Sequence, residues 1–286
     1  MSEKPDARTP RFLAWLYSSP SQQPVLAALC GIEREIAASL RAGVDHHVAH
    51  TRLEWWRAEC ERCAAGTPAH PLTRDLRQRL EALAPGARAL SALAGLCGLV
   101  DCAVWDLAGA TFERRAELTA YCRRWAAAMI TPVSSSTDAR DGGPQAATPV
   151  DWSDLGAALR EIELLGDLAD EARAGRLRLP LDELERAAIA PQALATPPWP
   201  LGLMAILRGR QRALRRELAA AVADLSPQTQ RGARGLLVWT ALASHESARA
   251  ERAMPHPPAA SAASAAAANW RAWRAARAAA AGRFAC

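Results

Sequence analysis

Hydrophobic positions recur with the period of a helix along most of this chain. In DWSDLGAALREIELLGDLADEARAGRLRLPL, which runs from Asp151 to Leu181, an apolar stripe passes through Leu155, Leu159, Ile162, Leu165 and Leu168. Gly175 ends this helix and Pro180 keeps the chain from resuming it, since glycine accepts the left-handed turn that proline cannot extend. The same reading predicts a short helix around Phe12, Trp15 and Leu16, a turn over 20–24 and a longer helix over 25–40. Asp45 is placed to N-cap the next helix, HHVAHTRLEWWRAECERCAAG. PAHPLTRDLRQRLEAL, an alanine–leucine segment over 87–107 and a helix over 117–130 follow. Beyond Pro180 come a short helix in LDELERAAI, a proline-rich bend, and two long amphipathic helices over 201–225 and 228–252.

Three stretches lack that period. Residues 1–10 are polar and read as a flexible lead, and 131–149 read as a mobile surface loop. Residues 255–286 read as a low-complexity Pro/Ala/Arg tail without fixed structure. A basic, tryptophan-bearing helix of the kind that lies in a membrane interface is the alternative there. The expected architecture is all-α, with one helical domain over 11–254.

Composition supports helices, because alanine, leucine and arginine dominate and aromatics make up only 5%. The net charge of +5 is mild and no localised basic stripe crosses the folded region, so a nucleic-acid partner is not expected. Seven scattered cysteines and no evident signal peptide suggest a reducing, cytoplasmic setting. Cys60 and Cys63 have no second pair at zinc-finger spacing. No apolar run reaches the roughly 20 residues of a bilayer span, so no transmembrane segment is expected, and the tail leaves peripheral contact open.

The chemistry gathers on the central helix. Glu163, Asp167 and Glu171 stand four residues apart with Asp170 beside them, which at about 100° per residue puts all four on one face. Like charges at that spacing repel, so a metal or an arginine must offset them, and Arg160 is one turn away. His46, His50 and Glu54 also share a face. They are open to two readings, a metal-ligating face or a solvated cluster.

The run LGAALREIELLGDLADEARAGRLRLPLDEL resembles the second aspartate-rich region of the squalene and phytoene synthases. The match rests on Leu155, Gly156, Leu159, Asp167, Arg173, Gly175, Arg176, Leu179 and Pro180. It departs at Glu171, where the family has a second aspartate, at Glu163 (asparagine), Arg160 (glutamine) and Arg178 (tyrosine). The resemblance implies a terpenoid-synthase-like helical bundle around a central cleft, with magnesium and a prenyl diphosphate held between two aspartate-rich helices. Carried over, Glu163, Asp167, Asp170 and Glu171 would ligate magnesium, and Arg176, Arg178 and Tyr121 would contact the ligand. Asp167, Glu171 and Asp106 would be catalytic. Asp106 enters because the family has an acid fifteen residues before its Tyr-Cys pair, here Tyr121-Cys122. The helix over 117–130 matches the one that lines the family's prenyl-chain tunnel, its small residues 126–128 letting backbone or ligand come close.

In CGIEREIAASL, which corresponds to the first aspartate-rich motif, Arg34 and Glu35 fit but Ala37 and Ala38 stand where the aspartates belong. Glu33 and Glu35 fall on opposite helix faces, so one pole of the metal site is expected to be missing. Trp55, Trp56 and Arg57 resemble a divergent branch that includes a mitochondrial respiratory complex I assembly factor. Two functions follow. One is a non-catalytic protein binding a prenyl or lipid ligand, or a protein partner. The other is a magnesium-dependent prenyltransferase of isoprenoid biosynthesis. A carboxylate facing Asp167 across an open cleft favours the enzyme; an arginine filling that space favours the first reading.

Overall fold

The leucine stripe of the sequence lies at the centre of the protein, with Leu155, Leu159, Leu165 and Leu168 all buried. The computed structural model describes residues 4–6, 9–41, 43–83, 86–135, 150–258 and 262–286. Among these residues every regular element is helical. In order they are α1 (Pro10–Tyr17), α2 (Gln22–Ala37), α3 (His46–Ala65), α4 (Pro71–Leu83), α5 (Ala87–Leu93), α6 (Gly98–Leu107), α7 (Arg115–Met129) and α8 (Thr131–Ser135). There follow α9 (Ser153–Gly166), α10 (Leu168–Arg173), α11 (Leu181–Arg186), α12 (Leu201–Ala223), α13 (Pro227–Gly232), α14 (Arg234–Ala253) and α15 (Ala262–Ala280).

Helix α9 is the axis. Helices α7, α12 and α14 surround it, while α6 and α3 extend the bundle beyond α7 and α1 lies along α14. At Gly156 the α7 and α9 backbones come so close that a Cβ there would stand 2.6 Å from the Cβ of Ala126. The small residues 126–128 therefore admit protein rather than opening a channel at this crossing. Asp45 caps α3 as expected, its Oδ1 accepting from the amides of His47 (2.9 Å) and Val48 (3.2 Å). Trp56 is buried edge-on to Trp55, and Arg57 pairs with Asp101 of α6 at 2.6 Å, so this motif ties helices together.

The structure departs from the sequence reading at helix ends and junctions. Pro24 sits inside the first turn of α2, where proline's missing N–H costs nothing. The 228–252 helix is divided at Ala233. The alanine–leucine segment is bent into α5 and α6. Contrary to the expectation of no such run, Ala89–Leu107 has the length and apolarity of a bilayer span, with 19 residues and a mean hydropathy of 1.6. Leu93, Leu96 and Val100 from it are core residues here. Of the expected mobile loop, Thr131–Ser135 is helical with Pro132 and Val133 buried, and 136–149 lie outside the described residues. The polar lead is not a loose strand throughout, since Pro5, Asp6 and Thr9 border the central cleft.

The largest departure is the tail. Helix α15 packs on α14, α1 and α13 through Ala272, Ala275, Ala276 and Ala279, and Phe284 is buried beyond it. The Phe284 amide donates to Gln230 Oε1 at 2.8 Å. Alanine pays no side-chain entropy in a helix and allows close axial approach, so a low-complexity sequence here has a packed face. Phe284→Ala should cost about 3 kcal/mol and lower the thermal midpoint by several degrees in calorimetry. Truncation after Met254 should lower it further, and an unchanged midpoint would mean that α15 is not docked in solution.

Candidate functional site

A cleft of about 500 Å³ opens where α1, α2, the end of α6 and the α9–α10 segment meet. Helix α9 stops at Gly166 and α10 begins at Leu168, with Asp167 at the junction. The helical bonding still runs through it, Asp167 N to Glu163 O at 3.2 Å and Glu171 N to Asp167 O at 2.8 Å. Glu163, Asp167 and Glu171 therefore keep their common face and all line the cleft. Gly175 adopts φ +81 after α10, as its position in the sequence anticipated. Asp170 does not share that face. Its side chain is 75% exposed and pairs with Arg173 at 2.8 Å, because it stands about 100° round the helix from Glu171.

Across the cleft, Glu33 of α2 supplies a carboxylate that the sequence reading took to be out of place. It is four residues before Ala37, and both line the cleft, while Glu35 is exposed. The signal was in that spacing: a residue one turn from the alanine standing at the aspartate position shares its face.

Between Glu33 and Glu163 lies Arg11 of α1. Its Nε donates to Glu163 Oε1 at 3.0 Å and its Nη2 to Glu163 Oε2 at 2.6 Å, while Nη1 donates to Glu33 Oε2. The guanidinium stands over the rings of Trp125 (5.1 Å) and Trp239 (5.4 Å), which meet edge to face. Trp125 also donates through Nε1 to Glu33 Oε1 at 2.7 Å. Burial would raise the pKa of Glu33, but the guanidiniums of Arg11 and Arg160 and the Trp125 hydrogen bond hold it below the usual carboxylate range. Burial likewise opposes the charge on Arg11, yet Glu163 and Glu33 together keep it well above its ordinary pKa.

The other cations are also engaged. Arg176 donates to Glu171 through Nε (2.9 Å) and Nη2 (2.7 Å). Arg178 is buried and bridges Glu171 (Nε, 2.7 Å) to Asp106 (Nη1, 2.6 Å). Despite the opposing effect of burial, these contacts hold Glu171 at a pKa of about 2. Tyr121 is fully buried and donates to Asp106 Oδ2 at 3.1 Å. Tyr121 thus supports Asp106 from behind instead of facing a ligand, while Asp106 and Arg178 both line the cleft. Arg160 is over Trp125 at 5.2 Å and bonds Glu163 at 3.2 Å, and its buried Nε has no acceptor among the described residues.

Asp167 differs from the rest. It accepts no hydrogen bond from the described residues, and partial burial plus the charges of Glu171, Glu163 and Asp170 push its pKa up. The residues do not fit a magnesium cluster as arranged. Glu33 and Glu163 are joined by a guanidinium, Glu171 and Asp106 are neutralised by two more, and no group of three potential ligands converges among the described residues. Six arginines and six carboxylates line the cleft, so its charges balance in number and most of the carboxylates are paired with guanidiniums. Elsewhere, His46 and His50 are exposed, with His50 Nδ1 3.3 Å from Glu54, and no metal-ligand group forms there.

The chain matches the squalene/phytoene synthase family over residues 5–280 and belongs to that family. It is 32% identical over 102 residues to a phytoene synthase of Rhodobacter capsulatus, a stretch spanning 36% of this chain and 29% of that relative's length. A dehydrosqualene synthase solved in complex with ligand superposes with a TM-score of 0.71 at 12% identity, covering 94% of this chain and 92% of the other. The squalene synthase HpnC from Alicyclobacillus acidocaldarius gives 0.62 at 16% identity, with 86% and 89% covered. At those identities the two structures establish the fold, a terpenoid-synthase-like helical bundle.

Two outcomes test the electrostatics. Arg11→Ala leaves two facing carboxylates in a largely buried site and should destabilise the protein by about 3 kcal/mol. Combining Arg11→Met with Glu33→Gln and Glu163→Gln should recover most of that loss in denaturant unfolding. Asp167→Asn should raise the thermal midpoint at pH 7. A carboxyl whose folded pKa is raised contributes best when protonated, so its deficit appears as pH rises through the folded value. The gain should shrink as pH falls from the raised folded value towards about 3.9, the ordinary aspartate value, and be absent below it.

Proposed function

We propose that this chain is a non-catalytic member of the squalene/phytoene synthase family, acting by binding rather than turnover. The carrying observation is Arg11, which joins Glu33 to Glu163 in the space between the α2 and α9 helices. Ionising a prenyl diphosphate requires strong positive charge at the departing diphosphate, usually supplied in this family by magnesium on two sets of carboxylates. In this chain guanidiniums have those carboxylates as partners, and Ala37 and Ala38 replace the first aspartates. Trp125 and Trp239 fill the volume behind Arg11. The retained fold suits a prenyl or lipid ligand at the cleft mouth, or a protein partner as in the assembly-factor branch.

A second reading, a magnesium-dependent prenyltransferase, has one observation in its favour: carboxylates from α2, α6, α9 and α10 face a common cleft. Incubation of the purified protein with magnesium and labelled farnesyl or geranylgeranyl diphosphate separates the two. The expected result is no squalene- or phytoene-type hydrocarbon and no released diphosphate above background. Losing such charge stabilisation removes several orders of magnitude in rate. Product that disappears on Asp167→Ala would establish the enzyme reading instead. Absence of turnover with retained binding of the diphosphate in calorimetry would identify the ligand class.

A further inference from the structure

Helix α15 has two faces of different chemistry. Its inner face is alanine, Ala272, Ala275, Ala276 and Ala279. Its outer face carries Trp270, Trp273, Arg274 and Arg277 at helical spacing, with Arg271 at the edge. Trp270 is 58% exposed and Trp273 38%, and their rings stack at 4.7 Å. Two indoles side by side in water form an apolar surface that a monomeric soluble face has no reason to keep together. Arg277 stands over the Trp273 indole at 4.9 Å.

The charge of this face is unusual for the molecule. Most arginines of the bundle have a carboxylate partner, yet Arg271, Arg274 and Arg277 have none among the described residues. No aspartate or glutamate occurs anywhere from Pro255 to Cys286. That segment contains four arginines and no lysine, so it accounts for +4 of the chain's net +5, leaving the other 254 residues at +1. Burial and the charge of Arg271 together depress the pKa of His245 on the neighbouring helix α14.

We propose that the outward face of α15 is a docking surface for an anionic lipid bilayer. The helix would lie parallel to the membrane plane, its two indoles entering the headgroup region while the arginine stems snorkel and their heads meet lipid phosphates. The charge and the paired indoles are complementary to an anionic interface at once, whereas an acidic protein would match only the charge. This surface is separate from the cleft and does not depend on whether the cleft turns over a substrate.

The test is co-sedimentation of the full chain with vesicles, without any prenyl diphosphate, so that the outcome is independent of cleft chemistry. Vesicles of equimolar phosphatidylcholine and phosphatidylglycerol should pellet the protein, pure phosphatidylcholine far less, and high salt should release it. Arg271→Gln, Arg274→Gln and Arg277→Gln together should weaken binding roughly 100-fold, at about a fivefold loss per arginine. Trp270→Ala with Trp273→Ala should weaken it by roughly tenfold or more. All five side chains are exposed, so both variants should retain the wild-type thermal midpoint, which circular dichroism checks. Failure to bind anionic vesicles overturns the proposal, as does binding that neither variant weakens. Sedimentation velocity that shows a dimer abolished by the tryptophan changes, with no vesicle binding, would assign the face to a second copy of this chain instead. Binding to an oligonucleotide but not to vesicles would likewise reject it.

Discussion

One guanidinium holds the middle of this protein together. Arg11 starts on α1, pairs with a carboxylate of α2 and another of α9, and rests on tryptophans from α7 and α14. Five helices therefore meet at a single planar cation. Arginine suits that role because its fixed fork pairs two oxygens at once and its weakly hydrated face lies comfortably on an indole. A lysine would satisfy one carboxylate and leave the other buried beside a second negative charge. The cleft stays open at its mouth, while its interior cohesion comes from ion pairs between protein groups.

The same logic repeats on the far side of α9. Glu161, almost fully buried, receives Arg115 Nη1 at 2.5 Å and Arg210 through Nε and Nη2 at 2.6 Å each. Arg115 reaches on to Glu183, and Arg210 to Glu217. Buried ion pairs are weak contributors to net stability, since desolvation offsets most of the attraction, but losing one partner is expensive. Such networks set which helices sit beside which more than how tightly they pack. In a chain whose buried surfaces are mostly alanine and leucine, many helix pairings would bury similar area, and charge matching discriminates among them.

The sequence made most of the fold legible. Periodicity placed the helices and the leucine stripe, Asp45 and Gly175 announced ends that the structure contains, and the family run pointed to the cleft. The junctions were less visible, because the break at Asp167 and the bend between α5 and α6 depend on tertiary neighbours rather than on local propensity. Arg11 could not be recognised. Its partner Glu163 is 152 residues away, and an arginine beside aromatics at the start of a short helix reads as a surface residue. Glu33 was recoverable, from its one-turn spacing to Ala37. Helix α15 was misjudged because an alanine-rich composition is ambiguous until something small-grooved, here α14, lies against it.

The separation between Arg11 and its partners also bears on how the chain reaches its fold. Helix α1 is made long before the groups that anchor it: Glu163 on α9, and the α14 surface, where Arg234 Nε donates to the Tyr17 carbonyl across 217 residues. A ribosome adding residues in order leaves α1 with its cation and apolar side chains unsatisfied until those segments emerge. Its closure is therefore a late, non-local event of the kind that slows folding. In the interval it exposes a sticky amphipathic helix, and chaperone engagement of the nascent chain should concentrate there. The bond that secures the finished cleft thus also ties the settling of α1 to segments made far later.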